Sequence, residues 1–367
     1  MSKGFNMKTM QNRSFLSSRK NSGFTLMEFL VASALAMIVI SAAGSTYFIT
    51  RKLSSNAQKR LDIQQNLRNA ASSITRDARN TGSFGCYSSA SLSKTNKFEF
   101  NDFAKAEKRL IAITDNADGS GQYSGFGIKV LESGTDFAAS GINATGLSNI
   151  RGGVLFVYGK DSAGLAIDDT TGSAEIVGKQ QLPDLNQTIA ADATRAKNTL
   201  VISSCSYAFA THAINQNATT GMFKLQNLNT KGTNLGANKG EFTLNKLYAA
   251  AYIVATINNI PSLLRYDLDP EGKWQGPQLL AQNVTDIKSQ FIYTKDCKNN
   301  SNDTGDHNKE KFVFTDNKLT TDSNLKGLPA GLRLTLNYRY PGTTTDTPYI
   351  INATIRAGNV CSTTFPA

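Results

Sequence analysis

The run "FTLMEFLVASALAMIVISAAGSTYFI" from Phe24 to Ile49 constrains the chain more than any other feature, because its 26 residues carry a single charge, Glu28. At 1.5 Å rise per residue a helix of that length reaches about 39 Å, ample for a hydrocarbon layer about 30 Å thick. The run therefore reads as a membrane-spanning helix. Residues 1–23 hold Lys3, Lys8, Arg13, Arg19 and Lys20 and no acidic residue, a bias that keeps an N-terminus in the cytoplasm and sends the rest outward. Arg51, Lys52, Lys59 and Arg60 follow closely on the other side, so charge alone does not fix the orientation. A secretory signal has an apolar core of about 7–15 residues before an Ala-x-Ala-like site. This run is longer, and its "SALA" at 33–36 lies inside it. A carboxylate within hydrocarbon costs on the order of 3 kcal/mol or more. Glu28 must find a partner, take up a proton or reach the headgroups.

Beyond the run, Leu53, Ala57 and Leu61 recur at four-residue spacing, and Ile63, Leu67, Ala70, Ile74 and Ala78 at four and three. That periodicity predicts an amphipathic helix over 50–79, stopped by Asn80, Thr81 and Gly82. Seven basic residues against Asp62 and Asp77 make it a basic stalk. With the leader charges, the stalk and Glu28 set aside, the formal +11 of the whole chain leaves +2 for residues 80–367. Such a balance gives no electrostatic case for nucleic acid. The stalk charges are read as solvated or as meeting anionic headgroups.

From residue 80 onward short apolar or alternating runs lie between Gly, Asn and Asp clusters: 109–114, 125–132, 153–159, 199–206, 246–257, 286–294, 331–340 and 349–357. They predict antiparallel strands, with a strand and turn at 262–274 and peripheral loops at 226–240 and 298–309. The fold class is α+β, a long N-terminal helix followed by a large β-rich head over 80–367. A head of that size calls for a second subdomain or long decorated loops.

"SGFTLMEFLVA" at 22–32 resembles the processing site of type IV prepilins and type II secretion pseudopilins. The resemblance implies a leader over 1–23, cleavage after Gly23 by a prepilin peptidase, N-methylation of Phe24, and a pilin-like fold. It makes Glu28 the fifth mature residue, and implies that its carboxylate pairs with the N-terminal amine of Phe24 on a neighbouring subunit. "RDARNTGSFGCY" at 76–87, with "LLAQNVTDIKSQFIYT" at 279–294 and "GLRLTLNYRY" at 331–340, is more loosely similar to the PilW-type minor pilins. The apolar helix also lacks the proline that major pilins commonly carry in its outer half. What the resemblance implies is a minor pilin of a tip or priming complex that supports motility, adhesion or DNA uptake. Its partners would be other minor pilins, the major pilin and a tip adhesin. It would sit in the inner membrane of a Gram-negative cell with a periplasmic head, then at the pilus tip. A J-type pseudopilin of a type II secretion system shares the same physical design, and a membrane-anchored periplasmic enzyme or binding protein is the third alternative.

The four cysteines, Cys86, Cys205, Cys297 and Cys361, are even in number and lie in the outward part, which predicts two disulfides. Three pairings are possible. The expected one joins Cys86 to Cys205 and Cys297 to Cys361, because the latter two flank the last predicted strands. Zinc is the rival reading, without a Cys-x-x-Cys to carry it. Only His212 and His307 are present, too few for a His-based metal site. "SLSK" at 91–94 lacks its companion elements. "DNADGSG" at 115–121 and "NDTGDHNKE" at 302–310 carry oxygen ligands without EF-hand spacing. No catalytic residue, metal or cofactor is expected.

Overall fold

A computed structural model describes residues 23–88, 97–100, 127–132, 137, 141–168, 173–176, 200–205, 207–211, 214–216, 222–225, 242–269, 273–295, 311–316 and 329–355. The expected leader up to residue 22, the predicted strand at 109–114, both expected loops, both histidines, both candidate oxygen clusters, "SLSK", Cys297 and Cys361 lie outside them. The chain divides into two compact units, Met1–Gln58 and Lys59–Ala367.

Helix α1 spans Leu26–Asn80. Its apolar part is long enough to cross a membrane, and no residue of that window is buried within the protein. Further along, Ile63, Leu67, Ala70, Ile74 and Ala78 are buried as their spacing predicts. Leu53, Ala57 and Leu61 are exposed. At about 100° per residue Leu61 and Ile63 point to nearly opposite sides of the helix. The two sets are separate faces rather than one continuous stripe.

The strands are β1 (Ser83–Phe84), β2 (Tyr87–Ser88), β3 (Lys97–Phe100), β4 (Ile128–Leu131), β5 (Ser148–Asp168), β6 (Ser173–Ile176), β7 (Leu200–Ser203), β8 (Tyr207–Thr211), β9 (Ile214–Gln216), β10 (Met222–Leu225), β11 (Phe242–Ile257), β12 (Ile260–Leu268), β13 (Trp274–Gln282), β14 (Val284–Lys295), β15 (Lys311–Asp316), β16 (Gly331–Arg339) and β17 (Asp346–Thr354). One sheet has the order β3-β8-β7-β11-β5-β6-β10-β9, with β12 and β13 extending from β11 and β4 paired to β5. A second has the order β15-β14-β16-β17, and β1 and β2 form a small hairpin. Pairing is antiparallel as predicted except between β3 and β8, which run parallel.

Alternation along β5 and β11 explains the core. Val154, Phe156, Ala250, Tyr252 and Val254 share one apolar cluster with the helix residues and with Leu332, Leu334 and Leu336 of β16. Their neighbours Leu155, Val157, Ala249, Ala251 and Ile253 enter a second cluster with Phe84, Tyr87, Phe137 and Tyr266. Because both faces of these strands are covered, the sequence reads as unbroken apolar runs instead of alternation. Each fully buried Leu, Ile or Phe contributes about 1.5–3 kcal/mol. The β11–β12 hairpin closes on Asn258 and Asn259, both at positive φ (49° and 63°). That is the type I′ geometry that matches strand twist, and Asn tolerates it.

Candidate functional site

The first functional turn is local. Thr25 precedes the helix, and its hydroxyl accepts the Glu28 amide (3.3 Å) while its own amide and hydroxyl donate to Glu28 Oε2 (3.1 and 3.0 Å). This is a reciprocal capping box, in which Thr and Glu three residues apart satisfy donors that the first helical turn leaves open. The Thr-x-x-Glu spacing was readable in the sequence but masked by the question of the charge. Both bonds fall on Oε2, which leaves Oε1 for a second donor. A Cβ built at Gly23 would meet nothing within 4 Å. Folding of the chain therefore sets no steric demand for glycine there.

The second feature is the helix-to-head junction at residues 76–87, where each unusual residue has a physical job. Asp77 is fully buried. It accepts hydrogen bonds from the hydroxyls of Tyr158 (3.0 Å, to Oδ1) and Tyr252 (2.6 Å, to Oδ2). Arg265 stands 3.3 Å from its Oδ2, and Arg76 is 3.4 Å from its Oδ1. Arg265 is itself fixed: it donates to Asp267 (2.9 Å) and to the Tyr248 hydroxyl (2.7 Å), and Tyr248 in turn donates to Asp267. Burial raises the pKa of Tyr158 and Tyr252, and the nearby charge of Asp77 adds to the rise. The sequence reading counted Asp77 as one more stalk charge. The missed signal is its place three residues after Ile74 and seven after Ala70, on the buried face.

Gly82 then leaves the helix at φ 68°, the left-handed C′ position that glycine adopts without a Cβ penalty. Its amide donates to the Val157 carbonyl (2.8 Å), the Val157 amide donates to the Gly127 carbonyl (2.7 Å), and the Thr81 hydroxyl donates to the same Gly127 oxygen (2.6 Å). Gly127 sits at φ 81°, where a Cβ would lie 2.6 Å from the Gly82 nitrogen. The helix end is thus stapled directly onto β5.

Cys86, in the β1–β2 turn, is joined to Cys205 just after β7, with Cα atoms 4.6 Å apart and a sequence separation of 119. The Ser203 hydroxyl donates to the Phe84 carbonyl (2.7 Å) alongside. Cys297 and Cys361 lie outside the described residues. Replacing Cys86 and Cys205 together by serine is expected to cost the native state about 2–4 kcal/mol, measurable as a lower denaturant midpoint. Titration of the unfolded, unreduced wild-type chain is expected to find no free thiol. Two free thiols would restrict cross-linking to Cys86–Cys205, and four would show that no disulfide forms.

Among the described residues no group of three or more His, Cys, Asp or Glu side chains is placed to hold a metal. No curated protein and no solved structure matches the chain. A family model does match at residues 18–44, a window that contains Gly23, Phe24, Thr25 and Glu28. It is the prokaryotic N-terminal methylation motif, so the chain begins with a type IV pilin-like segment on an apolar helix long enough to anchor it in a membrane.

Proposed function

We propose that the chain is a minor pilin that helps to initiate type IV pilus assembly within a tip or priming complex, as a structural component rather than an enzyme. The observation that carries the reading is the methylation motif set on the first turn of a helix able to cross a bilayer. Later in the sequence comes a large β-rich head over 80–367, within the compact unit Lys59–Ala367. On this reading prepilin peptidase cuts between Gly23 and Phe24 and methylates the Phe24 amine. Glu28 then meets the amine of a neighbouring subunit, and the head, exported to the periplasm, ends at the pilus tip in contact with other minor pilins, the major pilin or an adhesin. The junction at 76–87 supports the narrower PilW-type assignment, since the Arg-Asp-x-Arg-x-x-Gly-x-x-Gly-Cys order now has a physical reason at Asp77, Gly82 and Cys86.

Mass spectrometry of the protein from its native membrane is expected to find methylated Phe24 at the N-terminus. Gly23→Val is expected to leave full-length precursor in the membrane with the head folded, because nothing in the structure crowds that position. An N-terminus at Met1, or one beyond residue 40, would remove the basis of the reading. A deletion strain with normal pili but blocked protein secretion would transfer the chain to a type II secretion system.

A further inference from the structure

The chain passes from non-helical to helical within two residues of the proposed cleavage point. Gly23, Phe24 and Thr25 are non-helical, and α1 begins at Leu26. The Thr25 carbonyl accepts the first helical bond, from the Phe29 amide (3.2 Å). Its hydroxyl accepts the Glu28 amide (3.3 Å), and its own amide donates to Glu28 Oε2 (3.1 Å). A non-helical residue whose carbonyl already belongs to the helix, and whose side chain satisfies an amide of the first turn, is the N-cap. Packing does not hold the two residues before it: Phe24 is 81% exposed, and a Cβ at Gly23 would meet nothing within 4 Å. The capping bonds therefore set where the helix starts.

The flanking sequence allows a different start. Ser22 is also a capping residue type. A helix begun from it would take in Gly23, Phe24 and Thr25, and the Gly23 carbonyl would accept the Met27 amide by the ordinary four-residue rule. The Gly23–Phe24 bond would then lie inside the first turn. Three properties of the sequence favour the observed start. Glycine is a poor helix former, and so is a β-branched threonine. The Thr25 cap has a glutamate three residues on, which completes the capping box, whereas Ser22 has Thr25 there. Leaving Gly23 and Phe24 outside also leaves the Gly23 carbonyl free of helical bonds.

We propose that Thr25 is a positioning residue for processing: by capping α1 it keeps the Gly23–Phe24 amide in non-helical chain just outside the helix, where a peptidase can grip it. The inference rests on the processing reading above, and the methylation motif matched at residues 18–44 contains this turn. Hydrolysis adds water across that amide, leaving a carboxylate on Gly23 and an ammonium on Phe24. Exposed non-helical chain is where peptidases cut most readily, and a carbonyl already engaged in a helical turn must first be unwound. The Thr25 hydroxyl is bonded to the backbone of residue 28, so this half of the cap survives replacement of the Glu28 side chain.

The experiment follows cleavage of the full-length precursor in membranes supplied with prepilin peptidase, with Thr25 replaced in turn. Serine and asparagine cap helices well, whereas alanine and glutamine favour helix interiors. Thr25→Ser and Thr25→Asn are expected to be cut within about twofold of the wild-type rate, and Thr25→Ala and Thr25→Gln about three- to tenfold more slowly. The Cα chemical shift of a site-specifically labelled Phe24, read in uncleaved precursor, is expected to move towards helical values in the slow variants only. Equal rates across the series overturn the positioning role. Serine and asparagine variants as slow as alanine and glutamine show that the peptidase reads the threonine side chain itself, and overturn capping as the cause. A slow alanine variant whose Phe24 stays non-helical overturns it too. A wild-type precursor left uncut after Gly23 overturns the processing reading, and any role of Thr25 in it.

Discussion

Asp77→Ala is expected to destabilise the head by about 3–5 kcal/mol, because it breaks a buried ion pair, leaving Arg265 with Asp267 alone of its two carboxylate neighbours, and strips two buried tyrosine hydroxyls of their acceptor. Asp77 is fully buried, and its place between the two tyrosines is closed to solvent, whereas Arg265 borders an open cleft. The hydroxyls of Tyr158 and Tyr252 lose their acceptor at the same time, each an unsatisfied buried donor. Trp274, the single tryptophan, packs against the second apolar cluster and reports unfolding without an added label. Combining Asp77→Ala with Arg265→Met is expected to recover part of the loss, because the partly compensated guanidinium is then absent and the methionine stem keeps the packing. A double variant no better than the single one would show that the tyrosine bonds, not the charge, carry the cost.

The same cluster is expected to weaken the fold at alkaline pH. Burial, and after it the Asp77 charge, hold Tyr158 and Tyr252 protonated above the ordinary tyrosine range. The unfolded chain releases these protons near pH 10; the native state keeps them. The favourable contribution is therefore complete below about pH 10 and declines as pH rises further.

What the sequence revealed of this fold depended on whether burial left a periodic trace. The helix was legible because Ile63, Leu67, Ala70, Ile74 and Ala78 repeat with its turn, and its end because Asn80, Thr81 and Gly82 follow where that repeat stops. Strands β5 and β11 were found at their apolar centres, yet both run further. The continuation of β5 through "KDSAGLAID" opens on Lys160, Asp161 and Ser162, which break the apolar run. Strand β13 was missed for a physical reason. "WQGPQLLAQ" exposes most of its side chains and contains Gly276 and Pro277, which read as a breaker but are tolerated on an edge strand. Asp77 was missed because a single carboxylate among stalk charges looks solvated until its partners arrive from Tyr158, Tyr252 and Arg265, which are 81 to 188 residues away. The N-terminal methylation motif needs no tertiary partner, and so it is legible in local sequence at 18–44.

Glu28→Leu is expected to abolish piliation in a strain lacking the wild-type chain while leaving processing and membrane insertion intact, and Glu28→Gln separates the two jobs of this carboxylate. In the structure Glu28 caps its own helix through Thr25, worth about 0.5–2 kcal/mol, and a glutamine can still accept those bonds. A negative charge for a neighbouring Phe24 amine is what glutamine cannot supply. Leucine makes the span more apolar and should strengthen its hold in the bilayer, so a failure of Glu28→Leu cannot be blamed on anchoring. If both variants are inserted, processed and unable to restore pili or to co-purify with other minor pilins, the charge is required between subunits. Pili restored by Glu28→Gln alone would reduce Glu28 to a helix cap, and pili restored by both would reduce the apolar helix to an anchor.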